Sequence, residues 1–326
     1  MVAAMSEHIL NITNGDCAVT AMTAAGLPGD FLPWRDILHE GPVPSGLDLA
    51  ALSDVRARYI ADRNWAPLDT LLTDFQARDS GLEDFRSYDR VRLWFEHDLY
   101  DQLQLLQVLD WFADRDPGDT RLTMLCTDEY LGPASPEALQ QRLNAETPVT
   151  ADHLELARRA WAAFREATPE AWALLLQDDL TPLPFLDGAV RRLLEEYPHP
   201  RTGLSRTAYQ ALSLVAQGEE RFNVLFNEYQ NTEERRFMGD LGFYGLLHTL
   251  SEGEQALLAI ERETPAHLID SEQRYTVTRH GRDVIAGRAS AGDQLARDRW
   301  IGGVRLQPAH YWTWDAGAEI LAEVRG

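Results

Sequence analysis

Short apolar runs alternate with helical periodicity through the first 150 residues. The run His8 to Thr13 (HILNIT) stops abruptly at Asn14-Gly15-Asp16. Small residues then recur at helical spacing from Cys17 to Ala25 and Gly26 closes the segment, which predicts strand, turn and helix. A second apolar piece, Phe31 to Trp34, leads into Asp36-Ile37-Leu38-His39-Glu40-Gly41-Pro42, whose Gly-Pro pair marks a loop before helical patterning returns between Leu47 and Asn64. A third strand is predicted at Val91 to Phe95, giving way at Glu96-His97-Asp98 to a helix from Leu99 to Phe112. A fourth is predicted at Arg121 to Cys126, ended by Thr127-Asp128-Glu129. Parallel neighbours need helical crossovers, so this alternation predicts an α/β fold over residues 1–150: an open, mostly parallel, Rossmann-like sheet with helices on both faces.

From Ala151 to Tyr197 the pattern is helical, broken at Thr168-Pro169 and Thr181-Pro182 and ended by Pro198-His199-Pro200, so residues 151–204 are expected to form a helical connector. Residues 205–326 are expected to form a winged-helix-like α+β domain. Its helices are predicted at Ser205 to Gln217, near Arg221 to Gln230 and at Asp240 to Leu250; its strands at Ala256 to Glu261 and Arg274 to Thr278, with Thr278 placed to cap a last helix. The tail is dense in aromatics (Trp300, Tyr311, Trp312, Trp314) around Gly302-Gly303. It is expected to fold back over the junction between domains, with Trp312 to Asp315 within reach of the N-terminal cleft as a lid.

Composition sharpens this picture. No apolar run approaches the roughly 20 residues that cross a bilayer, and the N-terminus carries no basic stretch leading into an apolar core, so the expected compartment is the cytoplasm. The two cysteines, Cys17 and Cys126, make neither a disulfide framework nor a CxxC site and are expected to be buried as small hydrophobes. The 52 acidic residues outnumber 30 bases, for a formal charge of −22, and every base is arginine. A chain without lysine has no Walker-type phosphate lysine and no Schiff-base lysine, which excludes P-loop and pyridoxal chemistry. An acidic surface repels nucleic acid and anionic membranes at long range, leaving a small-molecule ligand, or a second copy of the chain, as the expected partner.

In open α/β sheets the ligand crevice lies beyond the carboxyl ends of the strands. That rule gathers Asn14, Gly15 and Asp16 after the first strand; Asp36, His39, Glu40 and Gly41 after the second; Glu96, His97, Asp98, Asp101 and Gln102 after the third; and Asp128 with Glu129 after the fourth. Carboxylates converging from separate loops suit a hard divalent cation, because oxygen ligands must surround it and oppose its charge. The other reading is that Asp16, Asp98 and Asp128 cap helices and complement the macrodipole, as they would in any protein. His97, Asp98 and Asp101 are the candidate catalytic residues: His97 beside Glu96 and Asp101 could be a base oriented by a carboxylate, or equally a solvent-facing turn histidine. Asn14, Gly15, Asp16, Asp36, Glu40, Gly41, Glu96 and Gln102 are the candidate ligand-binding residues. No HxH, HxxxH or CxxC spacing points to zinc, and no GxSxG elbow points to a serine nucleophile.

Three of these motifs together resemble a bacterial family. They are His8-Ile9 running into Gly15-Asp16, Asp36-Ile37-Leu38-His39-Glu40-Gly41-Pro42, and Trp94-Phe95 leading into Asp101-Gln102-Leu103. Over roughly residues 6–130 the chain is similar to the domain-of-unknown-function 1835 family. Asp298 to Leu306 and Trp312 to Asp315 resemble the ending of its longer members. The commoner form of the second motif has Asp followed directly by Leu, a departure that keeps the apolar character. The resemblance implies architecture and candidate positions, and no reaction.

Two functions of different class follow. The first is binding of a small polar ligand or divalent metal in the acidic cleft, with or without catalysis. The alternative is a transcription-related DNA-binding or protein-interaction module built on the C-terminal domain. Against DNA contact, the segment in the recognition-helix position, Asp240 to His248, carries no arginine, and residues 205–326 hold 18 acids against 13 bases.

Overall fold

The structure, a computed structural model, describes residues 7–262, 264–292 and 297–326. Its first half runs β1 (Ile9–Thr13), α1 (Asp16–Ala24), β2 (Asp30–Pro33), β3 (Gly41–Pro42), α2 (Leu49–Asp62), α3 (Leu68–Glu83), β4 (Arg90–Glu96), α4 (Leu99–Ala113), β5 (Arg121–Thr127), α5 (Pro136–Arg142) and β6 (Thr147–Pro148). The main sheet has the order β2-β1-β4-β5-β6, parallel except for β6, which runs antiparallel to β5. The four predicted strands are all present. β1 is flanked on both sides and buried along its whole length, so it reads as a run rather than an alternation. Its one amide, Asn11, accepts from Trp94 Nε1 at 3.0 Å and donates to the carbonyls of Pro28 and Asp30.

Alternation along β4 divides the core. Val91, Leu93 and Phe95 join the large cluster that includes α4, whereas Trp94 packs with Ala18, Met22, Leu125 and Leu139 beneath α1 and α5, so helices cover both faces. Helix α4 is buried on nearly every side, and even its glutamines work inward: Gln104 donates to the Asp36 carbonyl at 2.8 Å and Gln107 accepts from Trp34 Nε1 at 2.8 Å.

The second half continues α6 (Ala151–Phe164), α7 (Glu170–Leu174), α8 (Leu186–Leu194), α9 (Arg206–Ala216), α10 (Phe222–Thr232), α11 (Asp240–Leu250), β7 (Leu258–Ile260), β8 (Tyr275–Val277) and α12 (Arg279–Ile285). Breaks fall at the prolines, and the side chains of Ser205 and Thr278 cap α9 and α12 by accepting from Ala208 N and Gly281 N. β7 and β8 form an antiparallel hairpin after the three helices. One cluster of buried side chains runs from Leu10 to Trp314, so the core is continuous across residues 150 and 204. No helix among the described residues is long and apolar enough to cross a membrane.

The tail holds four strands: β9 (Arg299–Gly302), β10 (Val304–Leu306), β11 (His310–Asp315) and β12 (Ile320–Arg325). It folds back onto the N-terminal half, β9 pairing in parallel with β3 through Gly41 opposite Ile301 and Pro42 opposite Gly302. A Cβ on Gly302, whose φ is 59°, would run into the Phe164 carbonyl, and one on Gly303 into that of Arg165, which is why this crossing needs two glycines. The expected lid is not where the sequence put it. Trp314 lines a hollow with Tyr197, His199 and Tyr209 that includes none of the acidic loop residues, and the parts of the tail that reach the cleft beside Glu40 are Arg297 to Ile301 and Arg305.

Candidate functional site

The chain passes from β1 outward to β2 and then returns to place β4 on the other side of β1, so the sheet has its switch point between β1 and β4. Asn14 leaves one of these strands and α4 begins after the other. Asp98 caps α4, its Oδ1 accepting from Tyr100 N at 2.9 Å and Asp101 N at 3.2 Å. Asp101, in the first turn, accepts from Glu96 N at 2.7 Å on one oxygen and from Asn14 Nδ2 at 2.9 Å on the other. Glu96 accepts from Leu131 N at 2.7 Å, and Gln102 donates to the Glu96 carbonyl at 2.7 Å and to Cys126 Sγ at 3.3 Å. Five residues expected at the site, Asn14, Glu96, Asp98, Asp101 and Gln102, are thus brought together.

Glu96, Asp98 and Asp101 each present an oxygen within 4.8 Å of the other two, and the three residues are 5%, 2% and 1% exposed. None of them is ion-paired among the described residues; Arg142, whose charge acts on Glu96, is itself bonded to the exposed Glu129. Burial first and mutual repulsion second push Asp98 up to about 8 and Asp101 well above the usual carboxylate range; burial also raises Glu96. The cluster therefore holds protons at neutral pH unless a cation takes their place.

Other predicted positions have different partners. Asp16 does not cap α1, whose N-cap is Gly15 with no side-chain bond; it lies exposed against Arg35 at 2.7 Å. Asp36 is fully buried against Arg56 at 2.9 Å. Gly41, at φ 81°, belongs to β3, abuts the Tyr59 ring and pairs with the tail opposite Ile301; it lines a cavity with Glu40 and Tyr59 that includes none of the three carboxylates. Asp128 caps no helix, because α5 begins at Pro136 behind a Ser135 cap. The His97 ring stands between Tyr130 (centroids 5.3 Å apart) and Phe185 (5.9 Å), Nδ1 has no partner, and burial followed by the Arg235 charge lowers its pKa. It lines a hollow with Gly188, Arg191 and Arg192 that includes none of the three carboxylates.

A cavity of about 540 Å³ opens at the switch point, walled by Asn14, Cys17, Glu40, Glu96 and Tyr100 from the α/β part and roofed by Arg236 to Gly242. Glu40 therefore reaches the cleft, with Arg63 3.7 Å away and its pKa raised chiefly by burial. The roof was not foreseen, since it lies more than a hundred residues from the strand ends; Arg235 and Arg236, the one pair of bases there, were the only sequence signal. Helix α11 packs inward with Gly242 against Glu40 and Gly245 against Arg63, so seven of its eleven residues are buried.

Cys17 is exposed, contrary to expectation, because it sits at the second position of α1 on the cavity side; Cys126 is largely covered and burial pushes its thiol up to about 12. A thiol reagent at pH 8 is expected to modify one cysteine in the native protein and two after denaturation, with peptide mapping placing the native adduct on Cys17.

No protein-family model matches the chain, and no curated protein matches it.

Proposed function

We propose that the chain binds a divalent cation through Glu96, Asp98 and Asp101, and a small polar ligand in the adjoining cavity of about 540 Å³. The observation that carries this reading is that, among the described residues, no base is ion-paired with any of the three buried carboxylates, whereas Arg56 neutralises buried Asp36 and Arg192 buried Glu233. Proton retention or a cation are the two ways to relieve the repulsion, and all-oxygen donors favour a hard cation such as Mg²⁺, Mn²⁺ or Ca²⁺ over zinc. Glu96, which lines the cavity, would be the ligand residue shared with whatever occupies it. Membership of the bacterial family of unknown function goes with this proposal, carried by the three N-terminal motifs.

Calorimetric titration of Mn²⁺, Mg²⁺ and Ca²⁺ at pH 8 tests it. At least one is expected to bind with release of protons, seen as heats that change with the buffer's ionisation enthalpy, and Glu96→Gln is expected to weaken binding at least tenfold. No heat and no melting shift with any of the three at millimolar concentration would remove the reading.

A further inference from the structure

His39, Glu40, Met238 and Gly242 form a partition, because each lines both the cavity already described and a second one of about 510 Å³. The second cavity lies where the loop before α2, helix α11 and strand β9 meet. Its volume falls within the range of about 300–1,000 Å³ usual for small-molecule sites.

Two groups on its wall have bonding capacity that the protein leaves unmet. The first is His39, whose side chain is 2% exposed and whose two ring nitrogens both lack a partner. Glu40 Oε1 is 3.8 Å from Nε2, too far for a hydrogen bond, and the ring otherwise meets the edges of Phe237 and Tyr100. Burial, assisted by the charges of Arg56 and Arg192, pushes the imidazole down to about 3, so it is neutral and offers one donor and one acceptor. A buried ring with neither satisfied is costly.

The second group is Arg299. A guanidinium cannot shed its charge to escape burial. Yet among the described residues no carboxylate lies within ion-pairing distance of Arg299; Nη2 donates to the Glu196 carbonyl at 2.6 Å, while Nε is buried without an acceptor. Arg63, beside it on the same wall, lies 5.1 Å over the Trp65 ring, and among the described residues its one ion pair is with Glu40 at 3.7 Å. The cavity's other two arginines are already neutralised, Arg297 by Glu252 and Arg305 by Asp298. Of the carboxylates on this wall, Glu196 is bonded to Arg192 and Asp298 to Arg305, so the Glu196 and Glu40 charges reach Arg299 only from beyond ion-pairing distance, with a neutral imidazole ready to donate or accept. The flanks, Tyr59 and Trp300, are aromatic.

We propose that this second cavity binds a small molecule through a compact oxyanion, a phosphate or a carboxylate, held by the Arg299 and Arg63 guanidinium groups with the His39 imidazole as a further hydrogen-bonding partner. Planar guanidinium groups match both oxyanions by paired hydrogen bonds, and the anion supplies the counter-charge that Arg299 lacks. Binding here needs no cation at the Glu96 cluster, so the two sites are separable.

The test is a melting-shift and calorimetric titration of inorganic phosphate and of citrate, in EDTA at pH 7.5, against sodium chloride at matched ionic strength. A saturable rise in melting temperature beyond the chloride baseline is expected with one of them, and which one responds identifies the oxyanion. Arg299→Met and Arg63→Met are each expected to weaken that binding at least tenfold, with Arg158→Met, on the surface against Asp114, unchanged as the control. Arg299 also ties β9 to Glu196, so if Arg299→Met fails to fold, Arg63→Met, whose side chain is 37% exposed, carries the result. Neither anion exceeding chloride, or Arg63→Met responding like the parent, would overturn the proposal.

Discussion

Arg192→Met is expected to cost about 3–5 kcal/mol of stability, the usual range for removing one partner of a buried ion pair. The side chain of Arg192 is 8% exposed and spends every donor group: Nε and Nη2 on the two oxygens of Glu233 at 2.9 and 2.7 Å, Nη1 on Glu196 at 2.7 Å, Nη2 again on Thr207 at 2.7 Å. Glu233 is completely covered and Glu196 nearly so, which leaves two buried carboxylates facing each other once the guanidinium is gone. The neighbouring Arg206, 3.8 Å from Glu233, is already engaged with Glu195 and Glu234. The network joins α8 to α9 and to the segment after α10, and its guanidinium lies 4.7 Å over Phe237, at the roof of the cleft. Urea unfolding followed by tryptophan fluorescence measures the loss. Adding Glu233→Gln and Glu196→Gln to Arg192→Met should restore most of it, because the penalty belongs to the stranded charges. A single variant within about 1 kcal/mol of the parent would mean that this network does not hold α8, α9 and the segment after α10 together.

The parts of this architecture that were legible are those fixed by local sequence. β1, β2, β4 and β5 fell within a residue or two of their predicted bounds because each is an apolar run closed by a turn, and Asp98 was readable as a helix cap from its place before Leu99. The convergence of Asn14, Glu96, Asp98 and Asp101 followed from the strand-end rule alone. Helix α3 was missed although Leu68, Leu71, Leu72 and Phe75 recur at helical spacing; beyond them its buried face continues with Arg78 and Asp79, paired with each other and with Ser53, where apolar residues would be expected. Assignment of individual acids was illegible wherever an arginine on another element decides it: nothing local to Asp36 says that Arg56 consumes its charge, nor that Asp16, in the first turn of α1, pairs with Arg35. The two-residue strand β3 has no sequence signal at all, since its partner β9 is 260 residues away. The same separation hid the second cavity, whose wall joins His39 to Arg299.

Without divalent cations the protein is expected to lose stability between pH 7 and pH 8.5, and Asp98→Asn is expected to flatten that slope while raising the melting temperature at pH 8. Asp98 titrates near 3.8 when unfolded and at about 8 when folded, burial being the main cause and the Glu96 charge the next. The folded state therefore keeps a proton that the unfolded state releases. Its stabilising contribution is complete below about pH 4 and fades as pH climbs through 8, at up to about 1.4 kcal/mol per pH unit for each retained proton. Asp101, raised further by burial and by Asp98 and Glu96, extends the same trend upward. The buried histidines act in the opposite direction but in another window: His39, His97 and His248 have lowered pKa values, so the stability they confer grows with pH and is fully present above about 6.5. The slope above pH 7 thus belongs to the carboxylates. Asparagine caps a helix as well as aspartate does, so Asp98→Asn keeps the bonds to Tyr100 N and Asp101 N while deleting one charge from the repelling group. A cation bound at the site should replace the lost protons and lift the parent's melting temperature most at pH 8.5, with little effect at pH 6, and should do much less for Asp98→Asn. Melting curves in EDTA and in Mn²⁺ across this range decide the matter: a parent whose stability is flat from pH 7 to 8.5 would show that the three carboxylates do not share buried charge as described.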